Sequence, residues 1–143
     1  GAFIHYRTSA RNAYVPGAYH YMRLLVQSIP SLPATEKGVV MQEIRMMVNR
    51  WKWQSAEIMF LAGDIYSARW LPDEDGFMAQ YHWRMAKKMG PVREIADFDG
   101  AVKSRVRKLS PELERRLEEA VEAGFKNTMN AKHNLEFVDL CAE

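Results

Sequence analysis

Val39–Trp70, VVMQEIRMMVNRWKWQSAEIMFLAGDIYSARW, is the stretch whose reading decides the fold. It holds no proline, and Gly63 is its one glycine. Val40, Ile44, Met47, Val48 and Trp51 fall at i, i+4, i+7, i+8 and i+11, which is one face of an α-helix. Arg45, Asn49 and Lys52 recur with the same period on another side, so this half is apolar on one flank and basic on the other. Ser55 is a capping residue for a second run, Ala56 to Trp70, with Glu57 in its first turn where the helix dipole favours an acid. Two consecutive helices without strand-like alternation predict an all-α chain.

Working outward, the flanks repeat the pattern. Gly1 to Tyr14 mixes aromatic residues and arginines without steady periodicity and reads as an extended arm. Pro16-Gly17 is a turn or helix-start signal. Tyr19 to Ile29 follows as a short helix with Met22, Leu25, Val26 and Ile29 on one side, stopped by Pro30 and Pro33. On the other flank, Leu71 to Gly76 gathers a proline, three acids and a glycine and marks a boundary between residues 1–71 and 72–143.

Beyond that boundary, Phe77 to Met89 regains helical spacing, through Phe77, Tyr81, Met85 and Met89 or through Met78, Tyr81, Met85 and Lys88. Lys87 and Lys88, then Gly90 and Pro91, are the expected order for a helix stop. Val92 to Phe98 reads as a loop, and Asp99 as the cap of a short helix over Gly100 to Lys108. Ser110-Pro111 is a second start, after which Leu113, Leu117, Val121 and Phe125 step by four. Glu112–Arg116 and Glu122–Lys126 are i,i+4 pairs, and Asn130 to Asn134 reads as the end of that helix. The chain is expected to be all-α, with five or six helices in a small bundle behind an extended N-terminal arm.

With 143 residues, 48% of them hydrophobic and 27% charged, there is material for a real core and an ordinary surface. The net charge of +2 is too small to argue for nucleic acid, although tryptophan beside the basic face at Arg45 to Trp53 is compatible with RNA. The distribution is more informative: residues 1–71 carry eight Lys/Arg against four acids, and residues 72–143 twelve against fourteen. No acid precedes Glu36, whereas Arg7, Arg11 and Arg23 do. Mitochondrial targeting segments and their remnants read this way, as does a solvated basic arm.

One cysteine, Cys141, allows no internal disulfide and no cysteine-rich zinc site, which fits a reducing compartment. The longest uncharged apolar run, Ile58 to Gly63, is far short of a membrane span. The histidines His5, His20, His82 and His133 form no HExxH or i,i+4 pair, and no phosphate-binding glycine loop or GxSxG elbow occurs. Asp73-Glu74-Asp75 reads as a solvated turn. Trp51, Trp53, Trp70 and Trp83, with nine methionines, read as core plus partner interface. No residue is assigned catalysis, a cofactor or a metal.

Two stretches carry family likenesses. Lys88-Met89-Gly90, Arg93-Glu94, Asp99, Val102-Lys103, Val106-Arg107, Leu109, Pro111 and Leu113 follow one pattern, and Met129, Lys132 and His133 lie downstream of it. This second half resembles the small matrix-side "subunit seven" family of mitochondrial ubiquinol–cytochrome c reductase, complex III; Ser110 is an insertion relative to that family's pattern. The resemblance implies a non-catalytic accessory subunit on the matrix side of the inner membrane, bracing cytochrome b and its neighbours, with Arg93, Lys103 and Arg107 as partner contacts.

Tyr21-Met22-Arg23-Leu24-Leu25, the break from Pro30 to Pro33, Ile44-Arg45 and Gly63 follow another pattern. The first half resembles the LYR-motif proteins of mitochondria, with Tyr-Met standing in place of the signature Leu-Tyr. This resemblance implies binding of mitochondrial acyl carrier protein within complex I, an assembly factor or a mitoribosomal particle. Arg23, Arg45 and Arg50 would then meet the carrier's acidic surface, and a groove between the helices would take its acyl chain. Both likenesses point to a small helical protein held within a large mitochondrial assembly, with the complex III reading placed first.

Overall fold

The computed structural model describes residues 15–73, 75–90, 92, 98–103 and 105–142. The expected arm over Gly1 to Tyr14 lies outside the described residues, as does most of the expected loop before Phe98. The elements are α1 (Val15–Ser28), a 3-10 turn (Ile29–Ser31), α2 (Ala34–Trp51), α3 (Ala56–Ser67), α4 (Phe77–Met89), the short α5 (Phe98–Lys103) and α6 (Pro111–Ala142). No strand occurs among the described residues, and the all-α bundle is as expected.

The helix boundaries follow from local chemistry. Pro30 sits at the head of the 3-10 turn, and Pro33 precedes the first residue of α2, where a missing amide donor does no harm. Ser55 opens α3 by accepting a hydrogen bond on its hydroxyl from the Ile58 amide at 3.2 Å. Ser110 does the same for α6, accepting from the Leu113 amide at 3.3 Å. At the head of α4, the Asp73 carboxylate accepts from the amides of Met78 and Ala79 at 3.0 and 2.9 Å.

Several ends differ from expectation: α1 begins at Val15 rather than Tyr19, and α5 at Phe98, which puts Asp99 inside the helix rather than at its cap. α3 stops at Ser67 rather than Trp70, because Arg69 turns into the left-handed region (φ 63°) and the Arg69 and Trp70 amides donate back to Tyr66 and Ile65. This is the bonding pattern that usually ends on glycine, and holding arginine there costs about 1 kcal/mol. α5 spans Phe98–Lys103 and does not reach Lys108; Arg105 leaves the helix in a turn to pair with Asp64 on α3. α6 runs past Asn134 to Ala142, since neither glycine nor proline follows Gly124 to stop it.

α3 lies at the centre and is buried on nearly every side. Its Ile58, Leu61, Ala62 and Ile65 pack with Tyr21, Met22 and Leu25 of α1 and with Ile44, Val48 and Trp51 of α2. Its Met59 and Phe60 pack with Ala79, Trp83 and Ala86 of α4 and with Leu117 and Val121 of α6. The apolar face read on α2 is therefore the one that is buried. On α4 the first expected stripe packs against the second core, Met85 fully buried and Phe77, Tyr81 and Met89 partly so, while Ala79, His82, Trp83 and Ala86 are buried beside it.

Two glycines separate a rigid contact from a soft one. A Cβ on Gly63 would lie 2.3 and 2.4 Å from Cδ1 and Nε1 of the buried Trp83 indole. Gly63→Ala is expected to cost about 2 kcal/mol through overpacking. A Cβ on Gly124 would meet the Tyr81 hydroxyl at 2.5 Å and the Met85 methyl at 2.9 Å, both far ends of flexible side chains. A helix-propensity gain of about 1 kcal/mol offsets that strain, so Gly124→Ala should stay within about 1 kcal/mol of the parent. Urea denaturation of both variants checks the contrast, and equal losses would sink it.

Candidate functional site

The basic residues of α2 divide between two sides of the helix. Arg45, Asn49 and Lys52, at i, i+4 and i+7, form one stripe beside the buried face. Arg50 instead shares the outward side with Val39 and Met46, which are 70% and 64% exposed. Its guanidinium lies 4.9 Å from the Trp51 ring, a cation–π contact that steadies it on the surface. Arg23 on α1 is half-buried, 5.7 Å from the Tyr19 ring. Two residues earlier in the chain, the Tyr21 hydroxyl donates to Glu43 on α2 at 2.6 Å and ties α1 to α2.

The stripe of Arg45 and Asn49 borders a cleft of about 290 Å³ that reaches Tyr66 at the end of α3, Leu71 in the following loop and Met78 on α4. Behind Tyr66 lies His82, fully buried, with its ring stacked on Tyr66 at 4.9 Å between centroids. His82 Nδ1 is 2.7 Å from the Met78 carbonyl, an acceptor only, so that nitrogen carries the proton and donates. Nε2 is left to accept, and the Lys52 ammonium donates to it at 3.4 Å.

Burial holds the His82 pKa down to about 4, with the Lys52 charge adding to the effect and the Met78 bond opposing it. Burial also lowers the pKa of Lys52. Tyr66 is raised, first by burial; the Arg45 charge pulls it back and the Asp73 charge adds to it. The result is a neutral imidazole held by the Tyr66 ring, by the Tyr81 ring edge-on at 5.2 Å and by a half-buried ammonium.

A second polar cluster ties α5's end to the core. Arg105 pairs with Asp64 and its guanidinium lies 4.8 Å from the Trp83 ring. Trp83 Nε1 also donates to Asp64 at 3.2 Å. Burial raises the Asp64 pKa, and Arg105 and Trp83 oppose the rise. Every charge in the cluster is answered by another group of the same chain, which marks it as structural.

Of the residues expected as contacts for a respiratory complex, Lys103 and Arg107 are exposed. Arg107 also serves the fold: its carbonyl accepts from the buried Gln80 amide at 2.7 Å, and its side chain covers Gly76. Arg93 lies outside the described residues. Sequence reading missed Tyr66 and His82 as neighbours of the Arg45–Lys52 stripe. Lys52 and His82 are thirty positions apart, and neither residue's local pattern names the other.

Among the described residues, no group of three His, Cys, Asp or Glu side chains could hold a metal ion. No helix among them is long and apolar enough to cross a membrane. Comparison with protein-family models, with curated proteins and with solved structures gives no match for this chain.

Proposed function

We propose that this chain is a non-catalytic accessory subunit of a mitochondrial inner-membrane respiratory assembly, held on the matrix side by protein contacts. The observation that carries the reading is the outward face of α2. Val39 and Met46 are large apolar side chains left 70% and 64% exposed on a helix whose other face is well buried. They stand beside Arg50, on a helix that also exposes Arg45. Exposed apolar residues beside a surface arginine, with Glu36 exposed on the same side, suit a protein partner.

The LYR-like reading supplies such a partner, acyl carrier protein, and two features support it. α1, α2 and α3 share one core, as three helices of an adaptor require, and the proline break falls between the first two. Gly63, the glycine of that pattern, lies where a larger residue would strike Trp83. The complex III reading is supported by the exposure of Lys103 and Arg107, two of the three residues proposed to brace neighbouring subunits.

One experiment separates the two. The tagged chain is isolated from mitochondria, and its partners are identified by native mass spectrometry. A partner bearing an acylated phosphopantetheine arm is expected. Charge reversal at Arg45 and Arg50 should weaken its capture at least tenfold, since close charge pairs at an interface couple by several kcal/mol. Co-purification of intact complex III with retention by the double variant, but loss on charge reversal at Lys103 and Arg107, would select the second reading. Capture of neither assembly would overturn both.

A further inference from the structure

The cleft beside α2 is lined by two kinds of side chain. Arg45, Asn49 and Tyr66 bring a guanidinium, an amide and a phenol. Val48, Leu71, Pro72 and Met78 bring apolar surface. Lys52 follows one turn beyond Val48, half-buried, with His82 as its hydrogen-bond partner. Among the described residues no salt bridge joins Arg45 or Lys52 to a carboxylate. In the following loop Asp73, whose charge acts on Tyr66, has both oxygens engaged by the Met78 and Ala79 amides. Among the described residues, then, the positive charge lining the cleft has no carboxylate partner.

We infer that this cleft binds a small organic phosphate, its phosphoryl group against Arg45, Asn49 and Tyr66 and its apolar body along Val48, Leu71 and Met78. Three donor groups in one cleft match the three peripheral oxygens of a phosphomonoester better than the two of a carboxylate. A volume of about 290 Å³ suits a small ligand and is shaped by three segments of the chain. His82 has a positioning role: kept neutral, it holds Tyr66 by stacking and accepts a hydrogen bond from Lys52, so Tyr66 is fixed without a charge on the ring behind it.

The inference shares Arg45 with the adaptor reading and is distinguished from it by Arg50, which is outside the cleft, and by Asn49, which is outside the proposed carrier contacts. Its test is a calorimetric titration of the full chain with phenyl phosphate, inorganic phosphate and phenol, at matched ionic strength. Phenyl phosphate should bind, inorganic phosphate more weakly, and phenol not measurably. Arg45→Gln should weaken phenyl phosphate about tenfold and Asn49→Ala about threefold, as loss of a charged and a neutral hydrogen bond implies. Arg50→Gln should leave it unchanged. Amide chemical-shift changes on binding should centre on Val48, Tyr66 and Met78. Absence of binding, equal affinity for inorganic and phenyl phosphate, unchanged affinity in Asn49→Ala, or shifts centred elsewhere would overturn it.

Discussion

Trp83→Ala is expected to lower the free energy of unfolding by about 4 kcal/mol. Trp83 is 1% exposed and fills the space between α3 and α4, against Gly63 and 6.4 Å from the Phe60 ring. Its removal opens a cavity that the flanking Ala79 and Ala86 are too small to fill. It also takes one donor from Asp64 and the aromatic face from Arg105, so the polar cluster at the end of α3 loosens at the same time. Against a total stability of about 5–15 kcal/mol, such a loss leaves little margin. Guanidinium denaturation measures it directly. Trp83→Phe should recover more than half of the loss by refilling the volume without the N–H. An alanine variant within about 1 kcal/mol of the parent would show that the indole is not a keystone of the second core.

Acid should destabilise the fold in a window set by His82. The folded chain resists protonation until about pH 4, whereas the unfolded chain binds that proton near the ordinary value of 6.5. Between those values the unfolded state holds more protons, so stability falls as pH falls. The contribution is fully present above about pH 6.5 and is lost progressively down to about pH 4, amounting to about 3 kcal/mol. The physical cause is burial first and the Lys52 charge second. Denaturation at a series of pH values should show the slope. His82→Phe, which keeps a ring to stack on Tyr66, should flatten it over that window. Lys52→Met should shift its lower end towards higher pH. A wild-type chain with no pH dependence between 4 and 6.5 would refute the assignment.

Much of the architecture can be read from particular residues. Ser55, Ser110 and the proline pair at 30 and 33 act locally, within one turn of the elements they start or stop, and the helices obey them. The burial of Ile44, Val48 and Trp51 follows from periodicity alone. Leu117 and Val121 behave in the same way on α6. The early end of α3 is different, because a left-handed arginine leaves no mark in composition. Part of the inward face of α4 is also hidden. Its buried set includes His82 and Gln80, and polar residues on an apolar stripe are visible only once Lys52, Met78 and Arg107 are seen to satisfy them.

The cleft was half legible. Arg45, Asn49 and Lys52 stand out as a basic stripe in the sequence, but what they face does not. Tyr66 is brought there by the end of α3, and Leu71 and Met78 by the loop and helix that follow. Such long-range convergence is a property of packing between elements, which periodicity within one element does not encode.

The central place of α3 has a consequence for how the chain is made. Synthesis delivers α1, α2 and α3 before α4, and Met59 and Phe60 then await Ala79 and Trp83 from a segment not yet present. During that interval a growing or threading chain shows two large apolar side chains along its middle helix. The interval closes only when Trp83 arrives at Gly63, some twenty residues later in the order of emergence. A pause or cut ahead of α4 therefore leaves a sticky, half-clothed intermediate, the kind of species that chaperones capture.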